Sequence, residues 1–444
     1  MSPSEQVSHR YRQAEWMLAY VLVVLKGYRL YRNWGVLEGF DPALWLETFR
    51  LTYFFEPLPP ARLLMGSYHP PLSYLLTRLV YDLYPHEIEV SQIVSTLAML
   101  VTFFALRQAI KRVGWLWTVP GLALLYGGMS IPLVVWLGVE TSYDPLSLMW
   151  FTLAFAISIA LFWDPIPAAK WKDIKFTRKL TGLGLVFAAG LLNKYTGLMA
   201  FGLPFLIVAV RRGVLPLCRE LWAPVAAAAI GIVVCFPLYY QRYYVTEGEF
   251  MPAAMEWQLP KALTIARAAR DAAPLAFLKN MLRAPPVFTE SRVPANDSCL
   301  HMEWLQFWAK DTYLGDESKA SLAVSNVYLR GSPLLILVGT GLFVFRHRKM
   351  PKEWQHLGWI ILTVAFAFFA SAIAFGWKYP YWDWRIFKAK YNSPVVFWLA
   401  YAPTVLLSEA WIRESPRPWA RRIEVTVLSL VIVFVLVNHL LPIY

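Results

Sequence analysis

The chain has 444 residues, of which 58% are hydrophobic and only 16% charged, with a mean hydropathy of +0.44. A soluble domain carries roughly a quarter charged residues, so this composition excludes one and points to a polytopic membrane protein. The formal net charge of +13 does not indicate nucleic acid, because the basic residues sit in short clusters between apolar runs, the pattern of cytoplasmic loops.

Aromatic residues make up 16%, with 21 Trp, which suits interfacial belts and also carbohydrate or isoprenoid surfaces. Cys218, Cys235 and Cys299 have no pairing or metal spacing, and only Cys299 reads as extracytoplasmic, so no disulfide framework is expected. The first apolar run lacks a small-residue cleavage site and further spans follow it, so no cleavable signal peptide is expected.

Spans need about 20 apolar residues. The runs near 16–34, 90–110, 116–137, 145–163, 180–193, 195–210, 222–240, 331–345, 357–376, 394–411 and 424–442 predict about eleven of them. The run at 70–84 is read as a helix lying at the interface. Counting it as a span would invert every later basic loop. With it at the surface, Arg107 to Arg112, Lys170 to Lys179, Arg211 to Arg219, Arg346 to Lys352 and Arg413 to Arg422 all face the cytoplasm. Lys26, Arg29 and Arg32, at the end of the first span, are the exception. The outer side then holds a first loop (35–89), a turn from Glu140 to Asp144, a long segment (241–330) and a turn at 377–393. The long segment is too apolar and Trp-rich for a disordered linker and predicts short capping helices.

Several ionisable residues fall on that outer side. Asp41 opens an amphipathic helix. It reads either as a first-turn acid favoured by the helix dipole or as a general base for an acceptor hydroxyl, with Glu47 as the neighbouring alternative. In Tyr68-His69-Pro70-Pro71 the prolines suit a helix start, but nothing in helix geometry demands His69 at its positive end, where phosphate is readily held. Asp144 precedes Pro145 at the head of a span. It reads as an N-cap, or with Glu140 as a carboxylate pair that orients a base or holds a divalent metal. Lys194, followed by Tyr195, stands at the tip of a helical hairpin, either as a snorkelling anchor or as a cation for a lipid-borne phosphate. Arg385, Lys388 and Lys390, followed by Tyr391, crowd an outer turn against the usual charge bias. Asp383 or lipid headgroups could compensate them, and a phosphate ligand is the favoured reading. In the long segment Glu247, Glu249, Asp297, His301, Glu303, Asp311 and Asp316 have no diagnostic spacing. Asn296-Asp297-Ser298 fits a glycosylation sequon of a kind common by chance.

The order of these motifs resembles the GT-C superfamily of integral membrane glycosyltransferases, and within it the bacterial protein-mannosyltransferase-like and aminoarabinose-transferase-like group. The matching landmarks are Asp41 early in the first external loop and the corner His69-Pro70-Pro71-Leu72. Asp144 before Pro, the hairpin tip Asn193 to Gly197, and Lys390-Tyr391-Asn392-Ser393-Pro394 follow. The resemblance implies a polyprenyl-phosphate sugar donor, undecaprenyl- or dolichyl-type, and an inverting transfer on the outer face. It implies Asp41 as base, with His69, Lys194 and the late basic cluster as donor-phosphate ligands. Departures are Pro42 where many relatives have a second acid, His69 where some have Lys, and a final span where many relatives carry a larger external domain.

The fold class expected is therefore all-α and polytopic. A GT-C-like membrane module covers 1–240, an external helical segment 241–330 caps it, and C-terminal spans follow over 331–444. The expected partners are the lipid-linked sugar, a glycan, lipid or protein acceptor, and membrane lipids. No nucleic acid and no certain cofactor are expected, a divalent metal staying open. The expected location is the bacterial inner membrane with the site facing outward. The rivals are a transporter of lipid or sugar, which would want midplane charges and repeat symmetry, and an assembly subunit.

Overall fold

The computed structural model describes residues 3–37, 42–54, 56, 69–165, 173–213, 220–241, 244–245, 248, 260–282, 307–308, 319–380, 389–411 and 418–441. The described residues are mostly helical, with no strand among them. In chain order the helices are α1 (Pro3–Arg32), α2 (Pro42–Arg50), α3 (Leu72–Tyr81), α4 (Glu87–Val113), α5 (Val119–Met129), α6 (Pro132–Leu137), α7 (Asp144–Phe162) and α8 (Ile174–Asn193). There follow α9 (Leu203–Arg212), α10 (Trp222–Cys235), α11 (Pro260–Ala272), α12 (Pro274–Met281), α13 (Lys319–Arg346), α14 (Lys352–Lys378), α15 (Val396–Trp411) and α16 (Pro418–Leu440).

Among the described residues, seven helical stretches are long and apolar enough to cross a membrane: 87–113, 144–162, 195–212, 222–240, 327–349, 352–378 and 422–440. The chain is an integral, multi-pass membrane protein. The other four expected spans are helical too, but fall short for identifiable reasons. α1 carries Glu15, Lys26 and Arg29 along its length, α8 opens on Lys175, Arg178 and Lys179, and α15 has 16 residues. The run 116–137 is two shorter helices, α5 and α6, because Pro132 cannot donate the backbone hydrogen bond that would continue the first. The run at 70–84 forms α3, whose 10 residues reach about 15 Å, half a bilayer core.

The chain divides into two compact units. One comprises 1–26, 115–136 and 255–444. In it α5 packs on α15 and α16, and α13 packs on α15. The approach of α13 to α15 is close: a Cβ on Gly339 would lie 2.1 Å from the Ala402 carbonyl oxygen. Trp354, Trp398, Tyr401 and Phe343 form an aromatic core there, with the Tyr401 hydroxyl donating to the Trp354 carbonyl at 2.7 Å.

The other unit comprises 27–114 and 137–254 and carries most of the candidate residues. α7 is its central helix, packed by α4, α8 and α9. The start of the first loop is pinned by Gln92 of α4, fully buried. Its side-chain amide donates to the carbonyls of Asn33 (2.7 Å) and Val36 (2.8 Å) and accepts from the Gly35 N–H (3.1 Å). Gly35 has φ +72, a conformation glycine adopts without the strain a side chain would bring.

α2 and α3 are locked to each other by Arg78. Its guanidinium donates at 2.6 Å to the Phe49 carbonyl at the end of α2, which also accepts the Thr52 N–H at 3.1 Å. It also stacks 4.2 Å from the Phe49 ring and 4.4 Å from that of Tyr53. Arg50 binds Glu87 through both carboxylate oxygens, tying α2 to the first turn of α4, and this partner raises the Arg50 pKa.

Candidate functional site

The heads of α7 and α3 meet the tail of α8, and the ionisable residues gather at that junction. The turn 138–143 that feeds α7 is entirely buried. A buried turn must find partners for its backbone groups, and α4 supplies two of them. Ser95 donates to the Glu140 carbonyl at 2.6 Å and Thr96 to the Gly138 carbonyl at 2.7 Å.

Asp144 does not cap α7. Tyr143 is the N-cap, Asp144 is the first helical residue, and Pro145 follows where its missing N–H is not needed. The Ser142 hydroxyl accepts the Asp144 backbone N–H at 3.1 Å and stands 3.5 Å from Asp144 Oδ2. The carboxylate is thus left to meet a cation, and its Oδ1 lies 2.5 Å from the Lys194 ammonium, both groups buried.

Lys194 is likewise not a snorkelling anchor, since its side chain is only 7% exposed. It stands where α8 stops. Its backbone is extended (φ −162, ψ 146), and a 3₁₀ turn, Tyr195–Gly202, leads on into α9. The sequence explains the sharp turn: a Cβ on Gly197 would lie 2.3 Å from the Gly190 carbonyl carbon, so only glycine lets the turn fold back on α8. Asn193, fully buried, then fixes the tail of α8 to the head of α7. Its amide donates to the Tyr143 carbonyl at 3.0 Å and to Ser147 Oγ at 2.7 Å.

Tyr143 is the hub. Its ring lies 4.8 Å from the Lys194 ammonium and 3.9 Å from the His69 ring, and it joins the aromatic cluster of Trp45, Phe49 and Tyr74. α2 and α3 are thereby packed against the ion pair through one side chain. Among the described residues, the ionisable side chains at the junction include His69, Glu140, Asp144 and Lys194, all buried. Electrostatic interactions among buried groups such as these are screened less than those at the surface.

Of the residues expected from sequence, the structure brings together His69, Asp144 and Lys194, with Glu140 in the adjoining turn. Glu47 is exposed on α2. Tyr195 begins the 3₁₀ turn next to Lys194, its ring 6.1 Å from that of Tyr240. Lys390 is buried in a 3₁₀ segment, Ala389–Val395, that leads into α15, with the backbone of Tyr391 beside it. Asp41, Tyr68, Arg385 and Lys388 lie outside the described residues, as do Asp383, the sequon, and Glu247, Glu249, Asp297, His301, Glu303, Asp311 and Asp316 of the long segment. Among the described residues, no three His, Cys, Asp or Glu side chains are grouped so as to hold a metal ion.

The residues missed by sequence reasoning are Tyr143, Ser142 and Ser147, whereas Asn193 already belonged to the hairpin-tip landmark. Tyr143 directly precedes Asp144, which is the signal that could have found it.

No family model matches the chain, and no curated protein matches it. Solved structures do. The crystal structure of the Archaeoglobus fulgidus oligosaccharyltransferase, tethered to an acceptor peptide containing the NVT sequon, superposes with a TM-score of 0.51 at 11% identity. The match covers 96% of this chain and 54% of that one, so the chain spans about half the length of that protein. ArnT from Cupriavidus metallidurans, bound to undecaprenyl phosphate, matches with a TM-score of 0.40 at 14% identity, over 89% of this chain and 78% of that one. At that identity the likeness is one of fold: the chain is built like part of the archaeal oligosaccharyltransferase.

Proposed function

We propose that the chain is a glycosyltransferase that moves a sugar from a polyprenyl-phosphate donor to an acceptor hydroxyl at the outer face of the membrane, with inversion. The observation that carries the reading is the buried Lys194–Asp144 pair, set against Tyr143 and His69 at one end of a GT-C-type bundle. A polyprenyl phosphate leaves as an anion, and a cation held in place in a water-poor site stabilises the charge as it develops. Asp144 holds the Lys194 ammonium in place before the donor arrives. His69 adds a second group able to donate to a phosphate oxygen, and Glu140, Tyr195 and Tyr68 support them.

The acceptor hydroxyl must lose its proton as the sugar–oxygen bond forms, and Asp41 is assigned to take it, with Glu47 as the neighbouring carboxylate. The resemblance in sequence supports that role, together with the position of Asp41 directly before α2, a helix packed on the Tyr143 cluster. Arg385, Lys388, Lys390 and Tyr391 are proposed as further donor-phosphate ligands on the sequence pattern. The donor fits an undecaprenyl-type lipid of a bacterial inner membrane, and the acceptor is an envelope glycan, lipid or protein.

The test is transfer in proteoliposomes, using undecaprenyl-phosphate mannose and undecaprenyl-phosphate aminoarabinose, each radiolabelled in the sugar, with envelope extract as acceptor. Label should move covalently to the extract with the wild-type chain and not with Asp41→Asn. Label that crosses the bilayer still attached to its lipid would identify a transporter instead. Undiminished transfer by Asp41→Asn would remove Asp41 as the base.

A further inference from the structure

Lys194 sits at a break between two helical segments, a place where a side chain would ordinarily wander. What holds it is on another helix. α10 ends in a single π-helical turn, Phe236–Tyr240, in which the Gln241 N–H bonds the Phe236 carbonyl five residues back. Pro237 stands inside that turn and has no N–H to keep an ordinary helical ladder, and a π turn absorbs the defect by taking in one extra residue. Such turns are rare, and they change which side chains face the neighbouring helix.

The buried stripe of α10 runs Ala223, Ala227, Gly231, Cys235, at the four-residue step of a helix face. Within the π turn two consecutive residues, Tyr239 and Tyr240, are buried. The small stripe brings α10 close to α8. A Cβ on Gly184 would lie 2.9 Å from the Ala227 carbonyl oxygen, and one on Gly231 would lie 2.9 Å from Phe187 Cβ. At that separation the two tyrosines reach the chain on either side of Lys194. Tyr240 Oη donates at 3.1 Å to the carbonyl of Leu191, one of the acceptors left over at the end of α8. The Tyr239 side chain is hydrogen-bonded to that of Tyr195, the residue after Lys194.

We infer that Tyr239 and Tyr240 are positioning residues for Lys194, clamping the chain before and after it so that its ammonium meets the donor phosphate. The inference rests on the proposed role of Lys194 as a ligand for a polyprenyl-linked phosphate. Neither tyrosine is assigned contact with the substrate. A clamp of this kind holds a charge in place, so its loss should reduce recognition of the phosphate and leave recognition of the prenyl chain as it was.

The experiment measures binding of undecaprenyl monophosphate and of undecaprenol, which lacks the phosphate, to the full-length chain in nanodiscs. It compares wild type, Tyr240→Phe, Tyr239→Phe, Lys194→Met and Tyr126→Phe. Tyr126→Phe is the control, because it removes a buried hydroxyl bond of the same kind, 2.8 Å to the Glu15 carbonyl in the other unit. A lost hydroxyl–carbonyl bond should weaken phosphate binding about fivefold in Tyr240→Phe, and Tyr239→Phe should act in the same direction. Undecaprenol binding should stay unchanged in both, and Tyr126→Phe should leave both lipids unaffected. If either tyrosine variant folds and keeps wild-type selectivity for the phosphate, or loses affinity for both lipids equally, the clamp is wrong. If the wild-type chain does not prefer the phosphate at all, or Lys194→Met keeps that preference, the phosphate role of Lys194 falls, and this inference with it.

Discussion

Lys194 Nζ and Asp144 Oδ1 lie 2.5 Å apart, although fifty residues of sequence separate them. Neither charge is solvated, so each depends on the other. Removing one partner of a buried pair leaves an uncompensated charge and costs about 3–5 kcal/mol, whereas replacing both with apolar groups is often close to neutral. Lys194→Met and Asp144→Leu should each lower the melting temperature markedly in detergent, while the double variant should recover most of the loss and still fail to bind undecaprenyl phosphate. A double variant as unstable as the singles would show that the pair is not the unit described.

The pair also marks how far a linear reading reaches. Asp144 and Lys194 were both noticeable as ionisable residues bordering apolar runs, but a cap explained Asp144 equally well, and a snorkelling anchor stood beside the phosphate reading of Lys194, while each was considered separately. Deciding between those readings required knowing that the head of α7 meets the tail of α8, a long-range fact with no local signature. The helices themselves were legible, because bilayer length and hydropathy fix them, and α3 is a helix too short to cross, as expected for the run at 70–84. The break between α5 and α6 had a visible cause in Pro132 that the hydropathy of the whole run masked. Arg78 and Tyr240 left no trace in sequence, since a buried Arg over aromatic rings and a tyrosine bonded to a distant carbonyl are products of packing.

Gly197 should tolerate no side chain. An alanine Cβ there would fall 2.3 Å from the Gly190 carbonyl carbon and 2.4 Å from its oxygen, backbone atoms that cannot rotate away. Overpacking of this kind costs about 1–3 kcal/mol and would push the 3₁₀ turn off α8, carrying Lys194 with it. Gly202→Ala is the control, as nothing lies within 4 Å of its would-be Cβ. Undecaprenyl phosphate binding should drop in Gly197→Ala and persist in Gly202→Ala. Equal behaviour of the two would remove the packing argument.

Arg78 should be irreplaceable by Lys. The charge survives that change, but the fork that reaches the Phe49 carbonyl while stacking on Phe49, Tyr53 and Tyr81 does not. The loss is about 2 kcal/mol, from a hydrogen bond to a charged donor together with the ring contacts. Hydrogen exchange should then quicken over 42–53, with the amides of α4 unaffected. Unchanged protection of α2 would mean that the Arg50–Glu87 contact alone holds it.

Arg212 should separate stability from recognition. It forms an ion pair with Glu220, donates to the Phe162 carbonyl at 2.7 Å, and also bonds the Asp164 carbonyl. Arg211 stacks on Trp163 and donates to its carbonyl at 3.0 Å, so the two arginines together satisfy the closing carbonyls of α7. These contacts stand at the opposite end of a 19-residue helix from Asp144, about 28 Å away along its axis. Arg212→Ala strips the cap and leaves Glu220 without its cation, which should cost about 3 kcal/mol. Because α7 is the element that presents Asp144, a loose helix would weaken lipid binding as well, whereas a rigid helix frayed only at its far end would not. The expected result is a lower melting temperature with unchanged affinity for undecaprenyl phosphate in the folded fraction. A parallel fall in affinity would show that the two ends of α7 are coupled.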